Sequence, residues 1–120
     1  MNQKFRRSLK VLSNGCNNGA EVNAKGGKFW NALQAASYSG KKVIVEMLLE
    51  NGAEVNAEGG DYGNALYVAS CRGNKTVVNL LLGNGADVNA KGGKYGNALQ
   101  AAYIKGYKTI VKLLLANKLK

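Results

Sequence analysis

An all-α helical solenoid is the fold this sequence predicts. Three observations predict it: a period of 33 residues, apolar positions spaced for helices within each period, and a glycine at the end of the first helical stretch of each unit. Residues 31–63 (NALQAASYSGKKVIVEMLLENGAEVNAEGGDYG) and 64–96 (NALYVASCRGNKTVVNLLLGNGADVNAKGGKYG) match without a gap at about 20 of 33 positions. A third copy opens at Asn97, and GAEVNAKGGKFW at 19–30 matches the tail of an earlier one. The expected organisation is one array over residues 1–120: a partial N-terminal unit or cap at 1–30, repeats at 31–63 and 64–96, and a C-terminal partial repeat at 97–120.

Within a unit the elements follow in order. Asn31, Asn64 and Asn97 stand where an N-cap belongs, since an Asn side-chain oxygen accepts from the free N–H groups of the next turn. A short first helix begins there, and its small residues (Ala35 and Ala36, Val68 and Ala69, Ala101 and Ala102) permit one unit to stack closely on the next. Gly40, Gly73 and Gly106 end it. The second helix carries Ile44, Val45, Leu48 and Leu49, then Val77, Val78, Leu81 and Leu82, then Ile110, Val111, Leu114 and Leu115, an i, i+1, i+4, i+5 pattern that forms one apolar face. Asn-Gly at 51–52 and 84–85 closes that helix, and the tract through the Gly-Gly pairs reads as a turn-rich finger. The unit is helix, turn, helix, finger.

Composition narrows the chemistry. With 46% apolar and 20% charged residues in 120, the chain has the make-up of a soluble globular protein with one core or one array. It contains no His, which removes imidazole catalysis and His-ligated metals. Cys16 and Cys71 permit one disulfide but no framework, and the N-terminus shows no secretory apolar stretch, so an intracellular, reduced chain is expected, in the cytoplasm or nucleus. Cys71 lacks a base to make it a nucleophile. Glu46, Glu50, Glu54, Glu58 and Asp61 follow a solvated helix face and finger rather than a paired pocket. The Gly-Gly tracts lack the Gly-Lys-Ser/Thr of a phosphate loop. A non-catalytic chain without cofactor or metal is expected.

Taken together, the residues Gly40…Val45…Leu48-Leu49…Gly52-Ala53-Glu54-Val55-Asn56-Ala57, repeated as Gly73…Val78…Leu81-Leu82…Gly85-Ala86-Asp87-Val88-Asn89-Ala90, closely resemble the ankyrin repeat over roughly residues 19–120. Two departures are systematic. Asn-Ala-Leu-Gln (31–34 and 97–100) or Asn-Ala-Leu-Tyr (64–67) replaces the family's Thr-Pro-Leu-His, and the chain has no Pro. Gly-Gly-x-aromatic replaces its usual Asp-x-x-Gly in the finger. This Gly-rich variant resembles the arrays of filamentous-fungal multidomain proteins.

The resemblance implies protein recognition on a concave face built from finger tips and first helices. Mapped onto this chain, that face comprises Lys25, Lys28, Trp30 and Tyr38, then Glu58, Asp61, Tyr67, Cys71 and Arg72, then Lys91, Lys94, Ile104 and Lys105. These positions vary from copy to copy while Leu33, Leu66 and Leu99 repeat. Trp30 stands where the other copies have Gly63 and Gly96, which makes it either a binding hot spot or a ring packed over the N-terminal segment. Phe29, Tyr62 and Tyr95 recur at one position and read as structural rings folded against the adjacent finger or helix.

Charge and the chain ends complete the reading. The net charge of +10 is unevenly spread: residues 1–10 carry +4, 11–30 carry +1, 31–63 carry −3, 64–96 carry +3 and 97–120 carry +5. That balance fits an acidic protein partner approached by electrostatic steering, a basic nucleic-acid or polyanion binder, or solubility of exposed array ends. At the N-terminus Asn14, Gly15 and Cys16 fall where Leu80, Leu81 and Leu82 stand in the repeat, a poor cap, although Phe5, Leu9, Val11 and Leu12 would give a short amphipathic turn. Lys112, Lys118 and Lys120 would solubilise the other end. With so few units, weak self-association through the open ends is a second expected source of stability.

Overall fold

A computed structural model describes residues 22–118, which form six α-helices: α1 (Ala32–Ser39), α2 (Lys42–Glu50), α3 (Ala65–Arg72), α4 (Lys75–Gly83), α5 (Ala98–Lys105) and α6 (Lys108–Lys118). The expected caps form. Asn31, Asn64 and Asn97 each accept a hydrogen bond through Oδ1 from the backbone N–H three residues on, at 2.9, 2.7 and 2.8 Å. Each such cap stabilises its helix by about 1 kcal/mol. Gly40, Gly73 and Gly106 end α1, α3 and α5 at φ of 74°, 75° and 80°, the left-handed region that a Cβ disfavours.

The helices form two layers. α1, α3 and α5 stack on one another as the inner layer, α2, α4 and α6 as the outer, and each inner helix packs on the outer helix that follows it. Between the layers lies one continuous core. Val45, Leu48, Val77, Val78, Leu81, Ile110 and Leu114 fill it from outside, and Leu33, Ala36, Leu66, Ala69, Ala98 and Ala102 from inside. The outer-helix stripe is narrower than the sequence pattern suggested: Ile44, Leu49, Leu82 and Val111 are half-buried and Leu115 is exposed. In α6 this follows from position, since Leu115 corresponds to Leu49 and Leu82 but lies in the last described unit.

Where inner helices meet, side chains shrink. Ser37 and Ser70 are fully buried between neighbouring inner helices, and neither hydroxyl finds a hydrogen-bond partner. At the corresponding place in α5 stands Tyr103, 72% exposed. Leu99 likewise is half-buried where Leu33 and Leu66 are buried. Both differences mark the last described stacking face, on which no further described unit packs.

The fingers, residues 51–63 and 84–96 with the partial finger 22–30, repeat one closure. The N–H of Gly26, Gly59 and Gly92 donates to the carbonyl of Trp30, Gly63 and Gly96 at 2.7, 2.9 and 2.9 Å. An Asn ladder then ties each finger to the next. Asn23 donates through Nδ2 to the Gly52 carbonyl at 3.0 Å and accepts through Oδ1 from the Glu54 N–H at 2.8 Å. Asn56 repeats both bonds with Gly85 and Asp87, at 3.0 and 2.7 Å. The N-terminal expectations, including the Phe5–Leu12 turn, the weak cap and Cys16, fall outside the described residues, as does Lys120.

Candidate functional site

The fingers and inner helices share one face, and the side chains on it differ from unit to unit. Two gaps between fingers organise this face. The first opens beside α1, between fingers 22–30 and 51–63. The second opens beside α3, between fingers 51–63 and 84–96.

Aromatic rings fill the first gap. Phe29 of one finger stacks on Tyr62 of the next, with centroids 5.7 Å apart and planes 5° apart. Tyr38 of α1 tilts against both, at 4.9 Å from Phe29 and 5.9 Å from Tyr62. Arg72, at the end of α3, lays its guanidinium over the Tyr38 ring at 4.2 Å. Such contacts favour offset rings and a cation over the π face. Phe29 and Tyr62 thus take the structural role expected of the recurring finger aromatic.

Equivalent positions line the second gap, where Tyr62, Cys71, Tyr95 and Lys105 correspond to Phe29, Tyr38, Tyr62 and Arg72. Cys71 is far smaller than Tyr38, and the gap holds a cavity of about 270 Å³ lined by Asp61, Tyr62, Tyr67, Cys71, Lys94, Tyr95 and Lys105. The Cys71 thiol is free and half-buried.

Tyr67 is not the open side chain that its variation between copies suggests. It is only 1% exposed, although it lines the cavity of the second gap. Its ring lies against Gly93, where a Cβ would collide with it, and its hydroxyl accepts from the Tyr95 N–H at 2.9 Å. Burial pushes its phenol above the ordinary range, opposed by that backbone hydrogen bond. In the preceding unit Gln34, also buried, does the same work by donating from Nε2 to the Gly59 carbonyl at 3.2 Å. Gln100, with no following finger among the described residues, is exposed. Variation at this position therefore reflects two ways of clamping the next finger.

Trp30 is half-buried and lies on the following finger, its ring against Gly59, where a Cβ would meet it, and its Cβ close to Gly60. It is the one non-glycine residue at positive φ among those described, at 68°, where Gly63 and Gly96 adopt 87° and 96°. A side chain in this region costs about 1 kcal/mol or more, so the ring packing is held against backbone strain. Its indole N–H is buried without a partner. Packing over the N-terminal segment lies outside the described residues.

The other expected positions are open to solvent or nearly so. Lys25, Lys28, Glu58, Asp61, Arg72, Lys91, Lys94 and Lys105 are all exposed. Ile104, at the register of Tyr38 and Cys71, is 55% exposed. Lys28 and Lys94 each stand over the aromatic ring beside them, at 5.9 Å from Phe29 and 5.6 Å from Tyr95. Phe29, Tyr62 and Tyr95 are not among the expected site positions, since they recur, yet Tyr62 and Tyr95 line the second gap. The signal that finds them is the change from Tyr38 to Cys71 between two otherwise alike gaps.

A family model of ankyrin repeats, in three copies, matches residues 2–92, three quarters of the sequence. The chain belongs to the ankyrin-repeat family. The match begins ahead of the roughly 19–120 read from the motifs, and α5 and α6 beyond it continue the same two-layer stack. A search of curated proteins returned no significant match. Ankyrin repeats serve in general as protein–protein interaction modules and are typically non-enzymatic. Among the described residues no group of three or more His, Cys, Asp or Glu is placed to hold a metal ion, and no helix is long and apolar enough to cross a membrane.

Proposed function

We propose that this ankyrin array binds an acidic protein through the face formed by its fingers and inner helices. One observation carries the reading. Of the positions on this face that change between copies, eight bear charge, all eight are exposed, and six of them (Lys25, Lys28, Arg72, Lys91, Lys94, Lys105) are cations against Glu58 and Asp61. The positions that fix the fold repeat, so the fold itself does not call for this excess. A cationic surface of this kind raises the encounter rate with an acidic partner and selects against basic ones.

Charge reversal tests it. The immobilised chain is compared with a variant carrying Lys28→Glu, Lys94→Glu and Lys105→Glu, and with a control carrying Lys42→Glu, Lys75→Glu and Lys108→Glu at exposed outer-helix positions. Both variants change the net charge equally. A protein retained by the wild type and the control but lost by the first variant, with helical circular dichroism unchanged in all three, is the expected outcome. Equal retention by all three would sink the proposal. Generic duplex DNA added at about 0.15 M salt is the competitor that separates protein recognition from phosphate attraction, and displacement by it would also count against the proposal.

A further inference from the structure

We propose that the second gap is a receptor for one aromatic side chain, carried on an acidic segment of the partner protein. The inference rests on the reading of this face as a protein-binding surface and names what docks there.

The molecule supplies its own template. In the first gap an aromatic ring, that of Tyr38, tilts against the stacked pair Phe29 and Tyr62 under the guanidinium of Arg72. The second gap has Tyr62 and Tyr95 at the two finger positions and Lys105 at the cation position, but the thiol of Cys71 at the register of the Tyr38 ring. What remains is the cavity of about 270 Å³. A ring entering from a partner at the Cys71 register meets two tyrosines and a cation, the same kinds of group that Tyr38 meets within the chain.

The floor is already in place. Tyr67 is held beneath the cavity by its hydrogen bond to the Tyr95 N–H and by Gly93, so the pocket exists before anything binds. A preformed pocket with tyrosine rings inside and charged groups in its lining is the setting in which a single amphipathic aromatic anchor dominates an interface. Lys94 and Lys105 at its edge, with Lys91 and Arg72 exposed nearby in sequence, favour carboxylates on either side of that anchor over lysines, and Asp61 is the lone acid lining the cavity.

Two probe peptides test this on the full chain: an acetylated, amidated pentapeptide with Phe between two pairs of Glu, and the same peptide with Ala at the centre. Each is titrated at low salt and followed by amide chemical shifts of Cys71 and Tyr95. The Phe peptide is expected to bind about tenfold more tightly than the Ala peptide. In Cys71→Tyr, which fills the slot as Tyr38 fills the first, the preference should vanish while binding of the Ala peptide is retained. Cys71→Ala should keep the preference. Equal affinity of the two peptides for the wild type, or a preference that survives Cys71→Tyr, overturns the ring site and leaves the charged face standing. Failure of both peptides to bind the wild type overturns both. If Cys71→Tyr does not fold, the wild-type comparison still decides, and Tyr95→Ala, which removes one wall, should weaken only the Phe peptide.

Discussion

The first and second gaps share a backbone and differ in what fills them. Each is framed by the same caps, the same finger closure and the same Asn bridge. Yet one is packed with three rings and an arginine, while the other holds a cavity. Even the clamp on the following finger differs, an amide at Gln34 and a phenol at Tyr67. A repeat protein can change its surface one residue at a time because the recurrent positions carry the fold, and the variable positions are then free to fill a gap or leave it open.

If the frame is common to both gaps, breaking it in either unit should be severe. Leu48 and Leu81 occupy equivalent positions in the outer helices and are both fully buried. Truncation of either, Leu48→Ala or Leu81→Ala, is expected to cost about 2–5 kcal/mol and to lower the urea midpoint of this 120-residue chain sharply. Urea denaturation followed by circular dichroism measures this. Wild-type stability in one variant and collapse in the other would mean that the two units are not built alike.

Trp30 sharpens the contrast between fingers, because it replaces the glycine of Gly63 and Gly96. Trp30→Ala loses the ring on Gly59 yet keeps a side chain at positive φ, and should cost about 1–3 kcal/mol. Trp30→Gly loses the same ring but relieves the backbone, and should be the more stable of the two by about 1 kcal/mol. Calorimetric melting of both variants checks the order, and the reverse order would show that the φ of Trp30 is not strained.

The phenol clamp gives a smaller effect with a pH signature. Tyr67→Phe removes the acceptor for the Tyr95 N–H and should cost about 1 kcal/mol at neutral pH. Burial holds the Tyr67 phenol above its unfolded value, so the native chain keeps this proton after the unfolded chain begins to lose it. Its contribution is therefore complete below the unfolded pKa of about 10 and is lost as pH rises through the higher folded value. The stability gap between wild type and Tyr67→Phe should narrow above about pH 10, and melting curves at pH 7 and pH 10.5 would show a constant gap if the phenol were not buried. Least of all, Ser70→Ala removes a buried hydroxyl without a partner and should change stability by no more than about 0.5 kcal/mol, or raise it. A loss above 1 kcal/mol would reveal a hydrogen bond at that hydroxyl.

Much of this was written in local sequence. The Asn caps, the glycine stops, the paired helices and the 33-residue unit rest on interactions within a few residues, which one sequence displays directly. The Asn ladder was not legible. Asn23 and Asn56 bond to residues 29 and 31 positions away, and only stacking in register brings such partners together. Variation between copies does not distinguish a side chain reaching outward from one reaching across to the next finger, which is why the sequence alone gives no sign that Tyr67 is buried.

By itself, then, the sequence determined the repeat, its helices and the excess of lysine and arginine on one face, because periodicity, capping and charge are properties of residue identity and spacing. The tertiary structure decided which variable side chains are spent inside the stack and which gap stays open. That outcome depends on how the volume of each side chain compares with the space left between two neighbouring fingers, and the space exists only once the units have stacked.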